Sequence, residues 1–421
     1  MTGKETIFPF LEVLHMTFDV TTQFSVSARG IKPSPIREMF HMLRTPGMIS
    51  FAGGMPAPEV FPVEEFAAGA SILREQGRDI LQYGTTEGYP PLMDFLCSWM
   101  APRLGRTPSR DEILITTGSS QVCDLLIRAT VDRGDYVVTE EPTFLGNTIN
   151  MYNQGAKFIT VPCDADGMMV DLLPEKLDAV LAAGGKVRFI YTIPNFHNPS
   201  GVTLSVERRK KLVEIAKRYG LIILEDDPYG NVRFEGEDLP TIYSLDSDGH
   251  VLYAGSFSKI LAPGTRVGWC IGPAALVRTM AVFKQGVDTS TSIVAQALVW
   301  KYCSSGALDA FLPKIIDNYR RKRDLMEDAL RKYMPKGEAE WVTPHGGFFY
   351  WVTTPHVDAA ELFKKCVARK VAFVVGSPFY PNGGGEHSFR MCFTFATPEQ
   401  MDAGIRTLGE CVRELLPVAA K

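Results

Sequence analysis

The sequence predicts an α/β protein: a large domain on a mainly parallel sheet with helices on both faces, and a smaller α+β domain. Three observations predict it. Between residues 112 and 272, short continuous apolar runs alternate with amphipathic helical stretches, the pattern of strands buried on both sides. After about residue 289 the alternation gives way to long helical stretches and a few aromatic-rich runs. The length of 421 residues leaves room for two domains with ample core.

Residues 1–20 are fairly apolar, but Glu12 and His15 interrupt them. A secretory signal needs an unbroken apolar core and a small-residue cleavage site, and neither is seen. Residues 1–32 are instead expected to form an arm packed on a partner subunit. The large domain is expected over 51–289. Within it, residues 113–116 read as a strand, followed by a helix from near Ser119. Strands follow at 136–139, 157–161 and 187–192, the last ending at an Asn-Pro segment. Residues 205–219 form a charged amphipathic helix closed by Gly220. The run 221–224 leads straight into Glu225, Asp226 and Asp227, and the run 251–254 into a Ser-rich turn.

The smaller domain is expected to combine residues 33–50 with 290–421. A long helical stretch reaches Tyr333, with 319–324 as a solvated charged face. Strands are expected at 348–352, 371–375 and 389–395, with helices near 359–370 and from Pro398 onward. The Gly-rich segment 381–386 reads as a surface loop.

Composition narrows the function. Hydrophobic residues make up 45% and charged residues 22%, as in an ordinary soluble globular protein. A net charge of −4 gives no basic footprint for nucleic acid or an anionic membrane. No run of eighteen apolar residues occurs, which argues against a transmembrane helix. The eight cysteines are scattered without a Cys-x-x-Cys pair, so neither a metal site nor a disulfide framework is suggested. Reduced thiols in a cytoplasmic enzyme are the simplest account.

The most informative stretch is Gly255-Ser256-Phe257-Ser258-Lys259, with Arg266 seven residues beyond the lysine. Small polar donors and a guanidinium suit a phosphate, and a lysine among them suits a carbonyl-bearing cofactor. Pyridoxal 5′-phosphate (PLP) carries both groups. The alternative is a solvated lysine in a Ser-rich turn. Gly118-Ser119-Ser120-Gln121, the segment 195–201 and Asp226-Asp227-Pro228-Tyr229 complete a pattern with the late Phe389-Arg390. The earlier motifs fall at the carboxyl ends of predicted strands, where such sheets bind ligands.

In order and spacing these motifs resemble the fold-type I PLP-dependent aminotransferases of class I/II, with their seven-stranded type of sheet. Within that class the chain is similar to the kynurenine/2-aminoadipate aminotransferase group, which includes bacterial lysine-biosynthesis members. The resemblance runs from about Pro33 to the C-terminus. It implies an amino-group transfer from an L-amino acid, such as 2-aminoadipate, kynurenine or an aromatic donor, to 2-oxoglutarate through pyridoxamine phosphate.

Lys259 would hold the cofactor as a Schiff base and then act as the base on the substrate Cα. Asp226, three residues before Tyr229 as in the family, would pair with the pyridinium nitrogen, since a buried carboxylate is costly unpaired. Tyr229 and Asn198 would bond the cofactor O3′, although Asn198-Pro199 also reads as a plain turn. Ser119, Ser120 and Gln121, at a helix start, with Ser256, Ser258 and Arg266, would hold the phosphate. Capping of that helix is the alternative role for the first two. By resemblance, Tyr83 would reach the phosphate from the partner of a homodimer. Phe144 would stack on the ring, or merely pack in the core.

Arg390 would clamp the substrate α-carboxylate. Three residues before it stands His387, where many class members have asparagine, which leaves that supporting role open. Arg37 would face the substrate side chain, or else pair with a surface acid. Gly54 lies in a glycine-rich active-site segment, and Phe349 with Phe348 would wall the pocket.

Other functions fit less well. Ser256 and Lys259 also satisfy the Ser-x-x-Lys acyl-enzyme signature, but its companions Ser-Asp-Asn and Lys-Thr-Gly do not occur. A transcription regulator with an aminotransferase-like sensor domain would need a winged-helix domain ahead of it, and about thirty residues are expected to be too few. A carbon–sulfur lyase or a cyclopropane-forming synthase on the same cofactor site stays open.

Overall fold

The computed structural model describes residues 18–31 and 46–417. Residues 18–31 belong to a unit of their own. It holds a 3₁₀ turn, Val20–Gln23, and a four-residue helix, Val26–Arg29. The Asp19 carboxylate caps the turn by accepting the Thr21 amide at 2.9 Å.

Among the described residues of the second unit, the short strand β1 (Ile49–Ser50) comes first and the large sheet follows. Its strands are β2 (Ile113–Thr116), β3 (Tyr136–Glu141), β4 (Lys157–Asp164), β5 (Gly167–Met168) and β6 (Val187–Thr192). They continue with β7 (Ile222–Asp226), β8 (Val251–Ser256) and β9 (Gly268–Ile271). The spatial order is β2-β9-β8-β7-β6-β3-β4-β5. Strands β4, β3, β6, β7 and β8 pair in parallel, whereas β9 runs antiparallel to both β2 and β8. Seven longer strands thus carry a two-residue strand at one edge, hairpinned on β4.

The apolar runs explain the burial. Every residue of β2, β8 and β9 is buried, as expected when helices cover both faces of a sheet. Helices Ser119–Thr130, Leu145–Gln154 and Val206–Tyr219 follow β2, β3 and β6. The sequence pattern had not marked β9, because its four residues begin only two positions after the arginine of the Ser-rich segment.

The later half forms a four-stranded antiparallel sheet. It contains β10 (Glu340–Trp341), β11 (Phe349–Thr353), β13 (Val374–Val375) and β14 (Ser388–Cys392), in the order β10-β11-β14-β13. Strand β12 (Val371–Ala372) pairs instead with β1 in parallel. The single strand expected over 371–375 is therefore divided at Phe373 between two sheets. The long helical stretch is also two helices, Ile293–Ser304 and Ala307–Tyr333. The chain turns between them at Gly306, whose φ of 79° lies in the left-handed region that glycine enters freely. Ile293–Ser304 packs on helices Val63–Gly69, Ile72–Ile80 and Pro90–Leu104, while Ala307–Tyr333 packs on Pro398–Leu415. One hydrophobic core runs from Leu114, Val138 and Ile223 in the large sheet to Phe348, Phe393 and Ile405.

Candidate active site

The carboxyl ends of β7 and β8 open on a cavity of about 340 Å³. Lys259 reaches it three residues past β8, and its Nζ donates to the Gly54 carbonyl at 2.6 Å. Burial, with the nearby cations Arg390 and Arg266, lowers its pKa to about 8. A lysine so placed keeps a far larger share of its amine neutral, and therefore nucleophilic, near physiological pH than an exposed lysine does.

One wall is a cup of hydroxyls. Ser119 and Ser120 open the helix Ser119–Thr130, and Ser256 and Ser258 face them. Ser256 Oγ and Ser258 Oγ stand 2.9 Å apart. Arg266 closes the cup, with its Nη2 donating to the Thr117 carbonyl at 3.1 Å. Its guanidinium lies against Gly118, where a side chain would collide with it and where φ is 78°. Glycine is needed there for both reasons. Helix-start amides, hydroxyls and an arginine together suit a phosphate dianion. Gln121 stands behind the cup and does not line the cavity. Its side chain accepts the Thr117 amide at 2.8 Å and donates to Asp288 at 2.9 Å.

Asp226 and Asp227 face different surroundings. Asp227 is fully engaged, receiving Arg103, Asn195, Tyr253 and the Gly230 amide at 2.9–3.1 Å. Asp226 lines the cavity, and its Oδ1 is buried with no partner. Its Oδ2 accepts from the Tyr191 hydroxyl at 3.0 Å and from Asn147 at 3.3 Å. Burial without a cation raises its pKa to about 7. An orphaned carboxylate oxygen at the foot of a cavity fits a protonated ring nitrogen.

Arg390, on β14, is buried and holds only neutral partners. It donates to Asn198 Oδ1 at 2.8 Å and to the Ala52 carbonyl at 2.9 Å, while its Nε has none. The rings of Phe349 and Phe379 lie 4.3 and 5.2 Å from the guanidinium carbon. Burial draws its pKa down to about 10. Such a cation is set up to receive a carboxylate. Tyr229 packs edge-on against Phe348 and Phe349, and burial pushes its hydroxyl pKa up.

Phe144 and Gly54 also line the cavity. Tyr83 does not, for it stands 86% exposed away from it. His387 is exposed and bonds the Val357 carbonyl rather than Arg390. Arg37 lies outside the described residues. Asn147 and Tyr191 were missed by the sequence reading. Tyr191 was hidden in an apolar strand run, and Asn147 follows Phe144 by three residues, a spacing that could have flagged it. Among the described residues no cluster of His, Cys, Asp or Glu is placed to hold a metal ion, and no helix is long and apolar enough to cross a membrane.

A fold of this kind with these groups on one cavity defines a class of enzyme, and sequence comparison gives the same one. Residues 55–408 match the family described as aminotransferase class I and II. The chain belongs to that family and is an aminotransferase, built on the fold-type I arrangement. It is 42% identical to aromatic-amino-acid aminotransferase 1 of Thermococcus litoralis, over 94% of this chain and 96% of that one. It is 38% identical to the 2-aminoadipate transaminase of Thermus thermophilus, over 93% and 97%. The crystal structure of a kynurenine aminotransferase from Pyrococcus horikoshii, in complex with PMP, matches with a TM-score of 0.91 at 39% identity, covering 95% of this chain and 99% of that one.

Proposed function

We propose that the enzyme uses PLP to move the amino group of an aromatic, kynurenine-like or 2-aminoadipate donor to 2-oxoglutarate. One observation carries the reading: Lys259, the unpartnered oxygen of Asp226 and the carboxylate-free Arg390 open on the same cavity. When bound, PLP supplies an aldehyde that condenses with amines and a ring that withdraws electrons from the substrate Cα.

The protein's residues do the rest. Ser119, Ser120, Ser256, Ser258 and Arg266 hold the phosphate, with Gln121 bracing the loop behind them. Asp226 keeps a proton on the ring nitrogen, Asn198 and Tyr229 bond O3′, and Phe144 packs on the ring face. Arg390 orients the substrate by its α-carboxylate, beside Phe349 and Gly54. Lys259 Nζ would act as the base that moves the substrate Cα proton toward the cofactor C4′. Arg37 meets a distal carboxylate when the substrate has one.

We further assign residues 51–289 to a large cofactor domain, and 33–50 with 290–421 to a smaller one. A homodimer would bring Tyr83 of each subunit to the other's phosphate cup, which its exposure permits, with residues 1–32 as an arm across the contact. The eight unpaired cysteines, seven of them buried, suit a cytoplasmic enzyme. The test is a panel of amino donors with 2-oxoglutarate, followed by glutamate release. Aromatic, kynurenine and 2-aminoadipate donors should turn over, and Lys259→Ala should lose the reaction by orders of magnitude. Near-normal turnover in that variant would refute the reading.

A further inference from the structure

Three elements meet at Asp226, and two of them bring polar groups, Tyr191 and Asn147, that have no role in the machinery described so far. Tyr191 projects from β6, Asp226 ends the neighbouring β7, and Asn147 lies on the helix Leu145–Gln154 that follows β3. The three side chains are at most 3% exposed. They close a triangle: Asn147 Nδ2 donates to the Tyr191 oxygen at 3.0 Å and to Asp226 Oδ2 at 3.3 Å, and the Tyr191 hydroxyl donates to the same Oδ2 at 3.0 Å.

With Asp226 ionised, as pairing with a cationic ring nitrogen requires, the chemistry permits one proton arrangement. The tyrosine has a single proton, and it goes to the carboxylate, so the tyrosine oxygen must accept from Asn147. Turning the Asn147 amide over would set its oxygen against two acceptors. Two donors are therefore fixed on Oδ2, and Oδ1 alone is left for the cavity.

We propose that Asn147 and Tyr191 are positioning residues that aim one Asp226 oxygen at the cofactor ring nitrogen and weaken the carboxylate as a base, so that the proton stays on the ring. The inference rests on the reading of Asp226 as partner of that nitrogen. The carboxylate and the pyridine compete for one proton, and each hydrogen bond donated to Oδ2 favours the ionised carboxylate. The other titratable groups around Asp226 act the opposite way. Asp227 and Glu140 are like charges that make it more basic. Asp227 is held to Arg103, and Glu140 stands against His197. Cys123 and Tyr229 are the remaining titratable neighbours, and burial keeps both protonated. The two donors thus counter part of the rise that burial and the neighbouring carboxylates impose.

The test uses cofactor-free protein and two ligands: pyridoxamine 5′-phosphate and its carbocyclic analogue with C–H in place of the ring nitrogen. Affinities are read by tryptophan fluorescence. Tyr191→Phe and Asn147→Leu should each weaken pyridoxamine phosphate about tenfold, the effect of roughly one pKa unit, and leave the analogue unchanged. With ¹⁵N-labelled pyridoxamine phosphate, the ring nitrogen signal should move toward the neutral pyridine value. Thermal melts confirm folding, and either variant alone is a sufficient test if the other does not fold. Equal weakening of both ligands would show a packing role and overturn the inference, as would no weakening of either. Asp226→Asn on the same two ligands separates the levels. If it fails to distinguish them, the reading of Asp226 falls and takes the inference with it. If it distinguishes them and the other two variants do not, the inference alone falls.

Discussion

Arg390 is a buried cation that meets no carboxylate among the described residues, so its replacement should be read in substrate binding. Arg390→Met removes the charge but keeps an apolar chain between the rings of Phe349 and Phe379. Within the protein the change orphans two acceptors, Asn198 Oδ1 and the Ala52 carbonyl, at about 1–3 kcal/mol each. It also removes an unpaired buried charge, which offsets part of that loss. The fold should therefore persist. With substrate the balance differs, because a carboxylate would enter the site without its partner. Breaking a buried, hydrogen-bonded charge pair costs about 2–5 kcal/mol, or roughly 30- to 4,000-fold in kcat/KM. The assay is a single-turnover half-reaction followed by cofactor absorbance, with L-phenylalanine and with phenethylamine, which lacks the carboxylate. Phenylalanine should lose by that factor, and phenethylamine should change little. Equal losses for the two would refute the reasoning and make Arg390 a structural residue.

Four further outcomes follow from the site. The Lys259 pKa is lowered from 10.5 to about 8, and only the neutral amine attacks an aldehyde. Capture of PLP by cofactor-free protein, followed by stopped-flow absorbance, should rise about tenfold per pH unit below 8 and level off above it; a continued rise toward pH 10 would contradict this. Asp227→Asn should lower the melting temperature by breaking the bond to Arg103, while leaving discrimination of the ring nitrogen intact; loss of that discrimination would make Asp227 the cofactor partner. Tyr83→Phe should weaken PLP retention in a dimer, and an active monomer by light scattering would remove the shared site. Arg37→Ala should raise KM for 2-aminoadipate and 2-oxoglutarate far more than for leucine, and a uniform loss would give Arg37 a structural role.

The large sheet was legible because its strands are buried on both faces. Residues 113–116, 187–192 and 251–254 are mainly apolar runs, broken only by Arg188 and by a threonine at the end of the first two, and each is strand in the structure. What escaped was decided by partners distant in sequence. Residues 371–375 look like one strand, yet Ile49–Ser50 takes one end and β14 the other. Strand β9 has four residues and takes its position from β2 and β8 on either side. The break at Gly306 was visible as a glycine but was masked by helical pattern on both sides.

The site was legible in its residue types and less so in their charge environment. Asp226 and Asp227 are adjacent and chemically identical, and a strand turns successive side chains to opposite faces. The choice between them is therefore made by what each face contains. Arg103, Asn195 and Tyr253 come from distant parts of the chain and satisfy Asp227 completely, so that side of the pair is structural. On the other side Asn147 and Tyr191 satisfy one oxygen of Asp226 and leave the second bare. Arg390 repeats the arrangement with the opposite sign, holding two neutral acceptors and no anion. Both groups have pKa values displaced toward the neutral form, Asp226 upward and Arg390 downward, because burial penalises a charge that meets no counter-charge. A ligand with a cationic ring nitrogen and an anionic carboxylate relieves both penalties at once. That complementarity depends on the folded arrangement of side chains drawn from residues 52 to 390, which is why no local stretch of sequence displays it.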